Sequence, residues 1–207
     1  DMQHTIAGNL KSIVNLSVNE ERLKYQLLQS QINPHFLFNM LNNANILVKD
    51  APDEASQILE KLDNLLRYQL NDSTRREVFL TADIQFLTSF LELEKVRRDH
   101  FEYTIFQEGN MENICIPPLL FIPFVENAVK HNLDSDNLSY VHLYFSVHNK
   151  QLTFRCENSK PRVPVKREGG IGLANVKRRL DLLYESRYTL QIEDKETTYN
   201  VNLHLNL

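Results

Sequence analysis

Gln31-Ile32-Asn33-Pro34-His35-Phe36-Leu37-Phe38-Asn39 sets one imidazole among phenylalanines and leucines. At helical spacing His35 and Asn39 are four apart and share a face. A neutral imidazole titrates near pH 7, so a ring nitrogen can attack phosphorus without a strong base. The same histidine could equally be a hydrogen-bonded packing residue in a helix pair. A second group lies in Pro117-Pro118-Leu119-Leu120-Phe121-Ile122-Pro123-Phe124-Val125-Glu126-Asn127-Ala128-Val129-Lys130-His131. Asn127 and His131 are one turn apart, with Lys130 beside them. An amide oxygen is a hard ligand suited to Mg²⁺, and Lys130 and His131 add donors for phosphate oxygens. Taken alone, this is also an ordinary polar stripe on an amphipathic helix. The third group is Gly169-Gly170-Ile171-Gly172-Leu173. Glycines let backbone approach a phosphate, and a helix starting at Gly172 points free amides at an anion. A turn before a helix would use the same residues. The stretch from Ser159 to Glu168, with two prolines, four basic residues and no periodicity, reads as a lid-like loop.

Elements must hold these groups. Leu16, Leu23, Leu27, Leu28 and Ile32 form an apolar stripe that runs into Phe36, Leu37, Phe38 and Leu41. Pro34 lies inside it and predicts a kink. Asp50-Ala51-Pro52-Asp53 breaks the pattern. A second helix follows, burying Ala55, Ile58, Leu59, Leu62, Leu65, Leu66 and Leu70. A third starts near Thr81, a possible cap, and carries Ile84, Leu87, Phe90, Leu91 and Leu93. Near residue 100 the period changes from helical to alternating. Phe101, Tyr103 and Ile105 alternate with polar partners. Val141, Leu143, Phe145 and Val147 do the same, and past the Asn149-Lys150 turn so do Leu152, Phe154 and Cys156. Two helices, about 118–131 and 172–184, interrupt the strands. Strands at 188–193 and 199–207 close the chain. The expected fold is α+β: a helical module, 1–98, then an α/β sandwich, 99–207, with helices on one face of a mixed sheet.

Composition restricts the function classes. The 207 residues carry a net charge of −4, against the basic face that direct nucleic-acid binding needs. The apolar run from Ile116 to Val125 is too short to span a bilayer and holds three prolines. No signal-peptide pattern opens the sequence. Cys115 and Cys156 sit in apolar contexts and read as reduced core residues. No Cys or His pair has zinc-ligand spacing.

Three ordered segments together resemble the LytS-like sensor histidine kinases. They are Asn33 to Asn39, Pro117-Pro118 through Glu126-Asn127-Ala128-Val129-Lys130-His131, and Gly170-Ile171-Gly172-Leu173-Ala174-Asn175-Val176 with Arg179-Leu180. Leu66-Arg67-Tyr68 and Leu91-Glu92-Leu93-Glu94-Lys95-Val96-Arg97 match the same family, and the likeness covers roughly 15–207. The resemblance implies a dimerisation and phosphoacceptor module followed by a Bergerat-type (GHKL) ATP-binding domain. It implies that His35 is phosphorylated from ATP, that Asn127 holds Mg²⁺, and that Lys130 and His131 lie near the phosphates. Gly170, Gly172 and Leu173 then belong to the glycine box beside the lid. The implied partners are a second copy in a homodimer and a response regulator, often of LytTR type, whose aspartate takes the phosphoryl group. The implied setting is the cytoplasmic side of an inner-membrane protein, with sensor and membrane segments upstream of Asp1. Asn39 is a candidate helper for dephosphorylation.

The family pattern is not complete. The superfamily's adenine-binding box reads Asp-x-Gly, and here the matching place is Cys156-Glu157-Asn158-Ser159. Glu157 or Asn158 is left to accept from adenine. Phe36 follows His35, where most histidine kinases carry an acid. Pro123 stands one turn before Asn127, where ATP-hydrolysing relatives place a glutamate, so activation of water is disfavoured. A weakly catalytic docking module and an ATP-driven clamp are the alternatives.

Overall fold

The computed structural model describes residues 34–133, 137–161 and 171–207, with side-chain surroundings in the first and last segments from Phe36 and Leu173 onward. The stripe from Leu16 to Ile32, the bend upstream of Pro34, most of the expected lid, Gly169 and Gly170 lie outside the described residues.

The helical half is built from α1 (Pro34–Asp50), α2 (Pro52–Arg67) and α3 (Leu80–Arg97). Each helix has a different relation to the core. On α1, Phe36, Met40 and Ala44 are buried at intervals of four, so one stripe faces inward. Ala55, Ile58, Leu62 and Leu65 do the same for α2, whereas Leu59 and Leu70, expected to be buried, are exposed. A π-helical turn, Tyr68–Asp72, extends α2 and turns Tyr68 and Gln69 inward. The third helix is buried nearly all round, including the polar Asp83, Ser89 and Glu94. It is the axis on which the other elements pack. It starts at Leu80, one residue before the expected cap Thr81, and Phe79 occupies the cap position without a side-chain bond. Tertiary structure takes over the capping: the Leu80 amide donates to the Ile114 carbonyl at 2.8 Å. That bond continues a short ribbon in which β1 (Val78–Phe79) pairs antiparallel with β3 (Cys115–Ile116).

The second half is a five-stranded mixed sheet. Its strands are β2 (Phe101–Glu108), β4 (Ser139–His148), β5 (Gln151–Ser159), β6 (Tyr188–Asp194) and β7 (Thr198–Asn206), in the order β2-β4-β5-β7-β6. Only β2 and β4 pair in parallel. The expected hairpin is present: Leu143 lies opposite Cys156 and Phe145 opposite Phe154. Asn149 and Lys150 both take positive φ, 49° and 63°, the type I′ geometry that matches strand twist. Inward residues Val141, Leu143, Phe145, Leu152, Phe154, Cys156, Val201, Leu203 and Leu205 are all buried. Against this face pack α4 (Ile122–His131) and α5 (Ile171–Tyr184). The fold is therefore α+β, helices first and a mixed sheet second, as the patterning requires.

Cys156 is buried as expected, but Cys115 is exposed. The cause is the ribbon: β3 has only β1 beside it, and its alternation sends Ile116 inward and Cys115 outward.

Candidate functional site

The helix α4 begins four residues later than the apolar pattern suggests. Pro117 and Pro118 cannot donate, and Leu119 takes φ 55°, so this stretch turns before the helix starts. From Ile122 onward Phe124, Val125, Ala128 and Val129 are buried. That leaves Glu126, Asn127 and Lys130 on the other side.

The C-terminal end of α4 is anchored by groups that sequence reasoning did not single out. Asn132 is fully buried, accepts from Arg98 Nη1 at 3.0 Å and donates through Nδ2 to the Tyr140 carbonyl at 3.0 Å. Arg98 also donates to Ser139 Oγ at 2.6 Å and stacks over Phe101, 4.6 Å from its ring centre. Burial lowers the Arg98 guanidinium from its ordinary value, partly offset by Glu94. An Arg beside a helix end is a common surface pattern, so no local signal marked it.

Between the helical half and α4 lies a cleft of about 370 Å³. Phe36 and Asn39 of α1 contribute one part of its wall, Phe90, Glu94 and Arg97 of α3 another, and Glu126, Asn127 and Lys130 of α4 a third. Thus Asn39, four residues after His35, and Asn127 with Lys130 face one space although 88 residues separate the two asparagines. His35 is the second residue of α1. The Glu126 carboxyl is held above the ordinary carboxylate range by loss of water, although the residue keeps exposed surface. Arg97 donates to Glu94 at 2.6 Å across the floor.

The remaining predicted residues are scattered. His131 ends α4, half-buried, outside the cleft wall. Gly172 is the second residue of α5, and Leu173 after it packs half-buried against the core. Asn158 and Glu157, both offered as adenine contacts, face opposite ways. Asn158 lies on the helix-covered side and is 1% exposed, donating through Nδ2 to the Ser159 carbonyl at 2.8 Å. Glu157 is turned to the outer face, bonded to Arg155 Nη2 at 2.5 Å and Tyr140 Oη at 3.4 Å. Strand alternation forces this: Cys156 and Glu157 cannot both face inward. Glu157 is thereby removed from the inner-face set.

A larger groove of about 440 Å³ lies on that outer face, between Thr104, His142, Tyr144, Arg155 and Asn202. It is on the side of the sheet away from α4 and α5.

The helical half thus stands beside a helix-covered mixed sheet, and the helix that carries Asn127 and Lys130 shares a cleft with it. Residues 23–101 match the model of the family described as histidine kinase. Over that stretch the chain is similar to the histidine kinases. It is similar to the sensor protein LytS of Staphylococcus haemolyticus, 30% identical over 193 residues that cover 86% of this chain and 33% of that protein. It is similar also to the sensor histidine kinase YpdA of Escherichia coli, 32% identical over 112 residues, 54% of this chain and 20% of that protein. The chain thus spans about a third or less of the length of these two relatives. A solved histidine kinase domain from a blue-light activated kinase of Erythrobacter litoralis aligns over 88% of this chain and 90% of its own, with 17% identity and a TM-score of 0.49.

Proposed function

We propose that this chain is the kinase core of a two-component sensor and phosphorylates His35 from ATP. The observation that carries the reading is the shared cleft: the α1 segment after His35 and the Asn127–Lys130 face of α4 wall one space. A nucleotide's phosphates need hard oxygen ligands and mobile cationic donors. Asn127 supplies an amide oxygen and Lys130 an ammonium, and both fit an Mg²⁺–triphosphate group. Magnesium, when bound, neutralises charge on the β- and γ-phosphates. A ring nitrogen of His35 forms the new bond to the γ-phosphorus as the bond to the β,γ-bridging oxygen breaks, and ADP leaves. Positioning by α1 and α4 provides most of the acceleration, since phosphoryl transfer asks little covalent chemistry of the protein. Pro123 offers no carboxylate for water, which favours transfer to His35 over hydrolysis. Asn158, on the inner face, is the residue assigned to adenine in place of the missing aspartate, with Gly170, Gly172 and Leu173 beside the phosphates and lid.

The wider assignment follows the same reading. Residues 1–98 form the acceptor module and 99–207 the nucleotide module. Phe38, Leu41, Ile46 and Val48 are exposed on α1, an apolar surface suited to a second copy in a homodimer. The phosphoryl group passes to an aspartate of a response regulator, of LytTR type by family habit, and Asn39 assists its removal. Sensor and membrane segments belong upstream; among the described residues no helix is long and apolar enough to cross a membrane.

The test is incubation with radiolabelled ATP and Mg²⁺, then detection of acid-labile, base-stable phosphate. His35→Gln abolishes the label, and Asn127→Ala abolishes it while the far-ultraviolet spectrum is unchanged. Label persisting on His35→Gln removes His35 from the mechanism. A second reading, a dimeric docking module of weak activity, is favoured by one observation: Glu157 faces away from the nucleotide side. A thermal melt with ATP and Mg²⁺ separates the two, because only a ligand of the native state raises the midpoint.

A further inference from the structure

The turn in front of α4 is gripped from both sides by residues of different helices. Asp83 of α3 is fully buried, and its Oδ1 accepts from Tyr68 Oη at 2.6 Å and from the Leu119 amide at 3.0 Å. From the opposite side Arg179 of α5 donates Nη1 to the Leu119 carbonyl at 3.0 Å and Nη2 to the Pro118 carbonyl at 2.5 Å. One short turn therefore reports to the end of α2, to α3 and to α5 at once. Leu119 itself sits at φ 55°, a conformation a leucine keeps only when its surroundings over-determine it. Three residues later α4 begins, carrying Asn127 and Lys130.

The grip is costly for a purely structural device. Asp83 Oδ2 is buried and has no hydrogen-bond partner among the described residues. An apolar core residue would fill the space without a half-satisfied carboxylate. What Asp83 adds is one oxygen, Oδ1, that takes both the Tyr68 hydroxyl and the Leu119 amide, so the end of α2, α3 and the turn held by Arg179 meet at one point.

We propose that Asp83, Tyr68 and Arg179 are positioning residues that couple the helical half to α4 and α5. A movement of α2 or α3 is transmitted through the Pro118–Leu119 turn to the residues that face the cleft. The mechanical coupling stands on geometry alone, while its effect on phosphorylation rests on the kinase reading.

Hydrogen exchange followed by mass spectrometry on the whole chain tests the coupling without reference to activity. Arg179→Met on α5 and Asp83→Ala on α3 each raise exchange across 117–124 by about tenfold or more. The double variant exchanges no faster than the faster single one, because both break one linkage. Asp83→Asn keeps the Oδ1 acceptor and stays within about threefold of the parent in the same peptide. Tyr68→Phe removes only a hydroxyl and loosens the same peptide, so the test survives if Asp83→Ala fails to fold. Loosening confined to the helix that carries each substitution, or additive effects in the double variant, overturns the coupling. In the labelling assay Arg179→Met lowers kcat about tenfold and leaves KM for ATP within about threefold, the signature of lost positioning. If the parent chain takes no label at all, the kinase reading fails and the exchange result still decides the coupling.

Discussion

At the scale of single residues, burial decides the chemistry of the ionisable groups. Desolvation pushes the Asp83 carboxyl up to about 6, against the bonds from Tyr68 and Leu119 and the nearby Arg179, which pull it down. A carboxyl raised in the native state keeps a proton that the unfolded chain releases first. Between about pH 4 and pH 6 the native form binds more protons, so this group's contribution to stability declines as pH rises through that window. A shift of about two units corresponds to roughly 3 kcal/mol. The expected outcome is a difference curve: urea midpoints of the parent minus those of Asp83→Asn fall from pH 4 to pH 6.5, then level. A flat difference shows that Asp83 is ionised throughout. The cysteines make a second case. Cys156 is 1% exposed and its thiol is pushed up to about 12 by burial, then by Glu157, whereas Cys115 is exposed. A thiol reagent at pH 8 should titrate one group in the native protein and two after unfolding. Cys115→Ser should remove the native reaction entirely. Local sequence did not separate these two cysteines: Cys115 lies between Ile114 and Ile116, Cys156 lies two residues beyond Phe154, and only the strand pairing distinguishes them.

At the scale of elements, what was legible is what repeats. Alternation over Val141 to Cys156 gave the hairpin, its turn and its buried face, and the helical stripes gave α2 and α3 to within a residue or two. What was not legible depends on groups far apart in the chain. The exposure of Cys115 and the Arg98 anchor on Asn132 and Ser139 follow from pairings across 34 to 41 positions. The anchor carries a prediction. Arg98→Ala strands the Asn132 Oδ1 and Ser139 Oγ contacts inside the protein and should destabilise it by about 2–4 kcal/mol. Arg98→Lys should recover less than half, since one ammonium cannot serve Asn132 and Ser139 in a fixed fork. Gly109 is the other hidden constraint. It has φ 88°, and a Cβ there would stand 2.3 Å from the Val147 carbonyl oxygen. Gly109→Ala should therefore cost about 2 kcal/mol or more in a chemical melt, through both backbone strain and the clash.

At the scale of the molecule, the two halves share one apolar core. Met40, Leu65, Leu87 and Leu91 of the helices belong to the same cluster as Leu120, Phe121, Val125, Phe145 and Phe154 around the sheet. The β1–β3 ribbon and the grip on Leu119 tie them further. A chain so joined should melt as one unit, since opening the interface exposes apolar surface on both sides. Tyrosines Tyr68, Tyr103, Tyr140, Tyr144 and Tyr184 fall in both halves, and there is no tryptophan to complicate the signal. Urea unfolding followed by helical ellipticity and by near-ultraviolet tyrosine ellipticity should give one midpoint. ATP with Mg²⁺ at a hundred times its dissociation constant should then raise the stability of the whole transition by about 2.7 kcal/mol. Two midpoints, with only the later one moved by nucleotide, would mean that the cleft between α1, α3 and α4 opens before the sheet does. In that case Asn127 and Lys130 would hold the nucleotide without the stalk, and the delivery of His35 would be a separate conformational step.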